Sequence, residues 1–153
     1  MEYLGSFLNQ DAYWLEFRKF MDEDFPNENW TCHIIANNFV GADYFNHFIG
    51  KCIKNKATSV IITGRYGYEL LEKVYPLQSQ TDLFDKTLEV GNTEIVLNME
   101  NFADSCNSSF YHNCNPLDPN WENRLIFTDI YYPDRVKSLK KLIREFNSSV
   151  PNE

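Results

Sequence analysis

Residues 58–75 read TSVIITGRYGYELLEKVY, and this stretch decides the fold. Val60, Ile61, Ile62 and Thr63 form a short apolar run rich in β-branched residues, which suits a strand because branched side chains pack well on a pleated surface. Gly64-Arg65-Tyr66-Gly67 interrupts the run, and Leu70, Leu71 and Val74 then return at helical spacing. Strand, glycine turn and helix in succession make half of a βαβ unit.

The flanking sequence extends the pattern. Upstream, residues 30–36 (WTCHIIA) read as a strand. Residues from Ala42 or Asp43 to Lys54 follow as a helix, with Tyr44, Phe45, Phe48, Ile49, Cys52 and Ile53 on one stripe. Asp43 near its start and Lys51, Lys54 and Lys56 near its end complement the helix dipole. A helix between two strands implies a parallel pair. Downstream, the helix after Gly67 ends at Pro76, and residues 88–90 and 94–97 flank Gly91-Asn92, the signature of an antiparallel hairpin at a sheet edge. Residues 124–132 (RLIFTDIYY) predict a further strand, with Asp129 inside it and facing a solvated side. Pro133 is expected to open a helix on Val136, Leu139, Leu142, Ile143 and Phe146. Residues 1–21 match an amphipathic N-terminal helix packed on the sheet, capped by Asp11 and carrying Tyr13, Trp14, Phe17, Phe20 and Met21. Residues 98–123 show no legible period.

The expectation is a single α/β domain over residues 1–153. It is a three-layer α/β sandwich with a mixed, partly parallel, Rossmann-like sheet, an antiparallel edge hairpin and a frayed tail from residue 147. Strand order does not follow from the sequence.

Composition bounds the partners. The 153 residues are 43% apolar, enough for a real core, and carry a net charge of −8. An acidic surface repels phosphate backbones and anionic membranes and attracts basic partners, so nucleic acid is not an expected partner. Charge is polarised along the chain: residues 1–30 hold seven acidic side chains against Arg18 and Lys19, whereas residues 135–146 hold five basic ones against Glu145. No apolar run is long enough to span a bilayer, and the N-terminus lacks the pattern of a signal peptide, so a cytoplasmic location with reduced cysteines is expected.

Three groupings bear on chemistry. First, Asn37, Asn38, Gly64, Arg65 and Tyr66 are expected on one rim at the carboxyl ends of the strands, where open α/β sheets hold ligands. The turn lacks the glycines of a dinucleotide fingerprint and the Lys-Ser/Thr pair of a P-loop, so it supports a small enzyme or sensor contacting a nucleotide or other anion only as an alternative. Second, Cys106, His112 and Cys114 are three zinc-competent side chains in a spacing unlike a standard knuckle, and no metal or other cofactor is expected. Cys32 and His33 are adjacent, which on a strand puts them on opposite faces. Third, Asp22, Glu23, Asp24 and Glu28 form an acidic loop, and Tyr111, His112, Asp118 and Trp121 add polar and aromatic side chains from the illegible region. These eight residues are the expected contacts of an acidic, motif-free binding protein. Immunity proteins and antitoxin-type inhibitors of basic toxins are of this physical type, and no stretch matches a family motif. Self-association through aromatic patches is the blander alternative.

Overall fold

The computed structural model describes residues 1–74, 87–90, 93–112 and 123–149. Within them, seven strands form one mixed sheet: β1 Glu2–Phe7, β2 Gln10–Leu15, β3 Trp30–Ile35, β4 Ser59–Thr63, β5 Thr87–Val90, β6 Thr93–Asn98 and β7 Arg124–Asp129. Their spatial order is β1-β2-β7-β3-β4-β6-β5. The five central strands run parallel, and the antiparallel pairs β1–β2 and β5–β6 close the two edges. The helices are a 3-10 turn at Phe17–Asp22, α1 Ala42–Lys54, α2 Gly67–Val74, α3 Phe102–His112 and α4 Val136–Ser149.

The α/β class follows from the βαβ units. β3, α1 and β4 adopt the expected succession, and β5–β6 is the expected antiparallel edge pair. Its Gly91-Asn92 connection lies outside the described residues. β3 is buried at all six positions, which explains why it shows an apolar run rather than alternation. On one face, Cys32 and Ile34 of β3 and Val60 and Ile62 of β4 pack with Phe45, Phe48, Ile49 and Cys52 of α1 and Leu70 and Leu71 of α2. On the other, Ala12, Trp14, Leu125 and Phe127 pack with Cys106 and Phe110 of α3 and Leu139, Ile143 and Phe146 of α4. Each buried Val, Leu, Ile or Phe among them contributes about 2 kcal/mol of hydrophobic stabilisation.

The N-terminal helix expected over residues 1–21 is instead the β1–β2 hairpin and the 3-10 turn. Leu8 and Asn9 turn the hairpin at φ 46° and 64°, a left-handed pair that Leu disfavours, so the turn carried little sequence signal. Trp14 and Leu15 are buried on opposite faces of β2, so aromatic spacing mimicked a helical stripe. Phe17, Phe20 and Met21 lie on the 3-10 turn, and of these Phe17 and Phe20, three apart, are buried while Met21 is exposed. The polarised ends do meet: α4 packs on β1, Lys140 lies 3.7 Å from Glu2, and Asn147 donates to the Ser6 carbonyl at 2.9 Å. α4 begins at Val136 rather than Pro133, with Asp134 accepting the Val136 N–H at 2.8 Å, and it continues to Ser149, beyond the expected fraying point at 147.

α3 falls where no period was legible. Asn101 caps it, accepting the Asp104 N–H at 2.9 Å and donating to the Asp104 carboxylate. Its inward side is partly Ser105, Cys106 and Ser109, too polar for a hydrophobic stripe to show.

Candidate functional site

The chain runs from β3 to β4 to β6 in one direction with α1 and α2 on one face, then returns beside β3 through α3 on the other. The reversal of strand order therefore lies between β3 and β7, where a doubly wound sheet opens a crevice at its carboxyl edge. Here that position is filled by the chain itself. Asp129 is the last residue of β7 and its side chain is fully buried, so the expected solvated placement inside the strand is corrected. Its carboxylate accepts the N–H groups of Tyr131 and Tyr132 at 2.7 and 2.9 Å and pairs with the Arg135 guanidinium. Arg135 in turn lies 4.6 Å from the Phe102 ring and 4.5 Å from the Tyr132 ring. The charges of Asp129 and Arg135 compensate each other within this cluster, and the guanidinium lies against two rings.

The open cleft is one strand further on, at the ends of β3, β4 and β6. Asn37, Gly64 and Arg65 line it together with Glu100, in about 230 Å³. Gly64 sits at φ 102°, and a Cβ there would meet Ala36 O and Asn37 Oδ1 at 2.7 Å, so the close approach of the two strand ends requires glycine. The turn's backbone donors are internally bonded: Arg65 N–H to Asn37 Oδ1 at 2.9 Å, Tyr66 N–H to Ala36 O at 2.8 Å and Gly67 N–H to Gly64 O at 3.0 Å. A phosphate cradle needs those donors free, so the Arg65 side chain is the anion contact the turn itself retains. Tyr66 stacks on Phe39 with centroids 4.0 Å apart, and Asn38 accepts the Phe39 N–H at 2.8 Å, which ties down the outer rim without bringing Asn38 into the cleft.

The acidic loop adjoins two other clefts. Glu23 and Met1 line both, one of about 340 Å³ with Asp24 and Phe25, the other of about 580 Å³ with Trp14 and Asp134. Lys51 of α1 anchors the loop from beneath, donating to Phe20 O at 2.6 Å and Glu23 O at 2.5 Å, with its ammonium 4.5 Å from the Phe25 ring. Glu23 pairs with the Met1 ammonium at 3.0 Å. Asp22, Asp24 and Glu28 are exposed and make no ion pair among the described residues. Tyr111 is also exposed, but it belongs to α3 on the opposite face of the sheet, where it packs on Phe146, so it does not join the acidic loop in one patch. The side chain of His112, and Asp118 and Trp121, lie outside the described residues.

Two side chains singled out in the sequence, His33 and Cys106, are buried. His33 points away from Cys32, as strand alternation requires, and its Nδ1 lies 2.5 Å from Ser109 Oγ. Burial pushes its pKa down to about 3. A base so weak is a poor partner for a serine nucleophile, so the pair is a structural one. Burial likewise pushes the Cys106 thiol up to about 12, which keeps it an unreactive thiol at neutral pH. Its suggested zinc partner Cys114 is outside the described residues, and no metal-competent cluster occurs among the described residues. No helix among the described residues is long and apolar enough to cross a membrane. No family model matches the chain, and neither the curated proteins nor the solved structures contain a match to it.

Proposed function

We propose that this chain is an acidic binding protein of the immunity or antitoxin type, which neutralises a basic protein partner by docking it on the Asp22–Glu28 segment and the clefts beside it. The observation that carries the reading is the anchored acidic loop. Lys51 ties the backbone of residues 20 and 23 to α1, so the loop is ordered before a partner arrives and loses little freedom on binding. Asp22, Asp24 and Glu28 retain charges without an intrachain cation among the described residues, and the half-buried Phe25 offers apolar surface for the stem of a lysine or arginine side chain. Unpaired carboxylates on a chain of net charge −8 accelerate encounter with a basic surface, and aromatic anchors slow release.

The test uses small basic proteins of the native host, purified and titrated against the chain by calorimetry. The reading expects association that weakens steeply as salt is raised and falls at least tenfold in the triple variant Asp22→Asn, Glu23→Gln, Asp24→Asn, with the partner's activity inhibited in the complex. Association indifferent to salt and to the triple variant would overturn it, as would a host in which no basic protein binds.

A further inference from the structure

We infer that the cleft on the β4–β6 side of the sheet, beside α3, binds a small organic amine: an ammonium at one end, a hydrogen-bond acceptor at the other and a hydrocarbon body between them. This site lies on the face of the sheet away from α1, which anchors the acidic loop, and it does not rest on the partner-binding reading. Three observations lead to it.

The first is a stretch of sheet that the helices leave open. Among the described residues, α3 and α4 pack on side chains of β1, β2 and β7, and no residue of β4 or β6 joins that core. Val60, Ile62, Ile95 and Leu97 are taken by the core on the opposite face. Strand alternation therefore turns Ser59 and Ile61 of β4 and Glu94, Val96 and Asn98 of β6 toward the α3 side. With Ser109 of α3 they line a cleft of about 310 Å³. Pockets for small molecules begin at about 300 Å³.

The second is an unused acceptor pair at one end. Ser59 and Glu94 stand opposite each other in register, and neither side chain makes a hydrogen bond or ion pair among the described residues. A carboxylate beside a hydroxyl can accept two of the three protons of an ammonium. An anionic ligand is repelled there, and the net charge of −8 draws cations toward the chain. A metal ion needs more ligands than this one carboxylate, and no metal-competent cluster occurs among the described residues.

The third is a buried hydroxyl at the other end. Ser109 lines the cleft although it is almost fully buried, and its Oγ lies 2.5 Å from His33 Nδ1. His33 Nε2 is buried without a partner. A neutral imidazole carries one N–H, and on Nε2 that proton would be an orphaned buried donor. On Nδ1 it is donated to Ser109 Oγ, which leaves the serine's own proton for an acceptor in the cleft. His33 is in register with Ile61, two residues along β4 from Ser59, so the two polar ends stand about 7 Å apart. Ile61 and Val96 lie between them as an apolar floor. Asn98 does not compete for the ligand, because its amide is bonded to Glu100 in both directions.

The experiment is a thermal-shift and calorimetric comparison on the full chain of aminopentanol and tyramine, which carry both ends, with pentylamine, which lacks the acceptor, and pentanol, which lacks the ammonium. A two-ended ligand at ten times its Kd is expected to raise Tm by about 4 °C. Each one-ended compound should bind at least about tenfold more weakly. Glu94→Gln, at an exposed position, should abolish the shift. Ser109→Ala, read against its own ligand-free Tm, should bring aminopentanol down to the level of pentylamine and leave pentylamine itself unchanged. Equal binding of pentylamine and aminopentanol to the wild type would overturn the role of Ser109, and equal binding of pentanol would overturn that of Glu94. No shift with either two-ended amine at about 10 mM, or a shift that survives Glu94→Gln, would overturn the site itself.

Discussion

Lowering the pH from 7 to 5 should destabilise this protein by about 2 kcal/mol through His33 alone. The ring is completely buried on β3, hydrogen-bonded at Nδ1 to Ser109 and tilted against Phe127 with centroids 5.1 Å apart. Its folded pKa is about 3 because burial disfavours the imidazolium, whereas an unfolded histidine titrates near 6.5. Between those values the unfolded chain holds a proton that the folded chain does not. Stability is therefore fully present above about pH 6.5 and is lost as pH falls toward 3, at up to about 1.4 kcal/mol per pH unit. A loss of about 2 kcal/mol is a large part of the 5–15 kcal/mol typical of a domain. The assay is urea unfolding of wild type and His33→Gln at pH 7 and pH 5, since glutamine keeps a polar group beside Ser109 without titrating in this range. The exposed His47 and the carboxylates are common to both proteins, so the difference between their two losses isolates His33. Parallel losses would refute the reasoning, because they would mean the imidazolium is accommodated in the folded state.

Three other substitutions probe the framework. Arg135→Leu leaves the buried Asp129 carboxylate without its cation and should cost about 3–5 kcal/mol in chemical denaturation, with much of that recovered when Asp129→Asn is added. Gly64→Ala should lower stability by about 2 kcal/mol or more, because the added Cβ meets backbone at 2.7 Å and the φ of 102° is strained for alanine. Lys51→Met removes the donor shared by the carbonyls of Phe20 and Glu23 and should cost about 2 kcal/mol while exposing residues 20–28 to faster amide exchange.

The elements that could be read from the sequence share one property: their burial is settled by neighbours close in the chain. α1 was legible because Phe45, Phe48, Ile49 and Cys52 fall on one stripe facing one sheet, and β4 because a β-branched run precedes a glycine turn. The hairpin of β5 and β6 was legible from the short runs on either side of Gly91-Asn92. β2 was not, since it is buried on both faces by partners distant in sequence, β7 among them, and its aromatics then carry no period of two. α3 was hidden because its inward Ser105 and Ser109 are polar, and Ser109 meets His33 of β3 in a pairing that only a long-range contact creates. The Asn101 to Asp104 capping pair was the one local signal available for it.

The candidate sites divide along the same line. The sequence by itself determined the α/β class, the acidic segment at 22–28, and the presence of Asn37, Gly64 and Arg65 at strand ends, because these depend on local pattern and covalent order. Tertiary structure alone decided the strand order, which places β7 beside β3 and lets Asp129 and Arg135 close the switch point. It decided too that Glu100, thirty-five residues beyond Arg65, shares a cleft with it, and that Tyr111 stands on the far face from the acidic loop. Strand pairing is a competition among long-range contacts whose outcome rests on the packing of both sheet faces, and no window of sequence contains both sides of that contest. The TSVIITGRYG stretch therefore could announce a rim, but what faces Arg65 across it was settled only when β6 took its place beside β4.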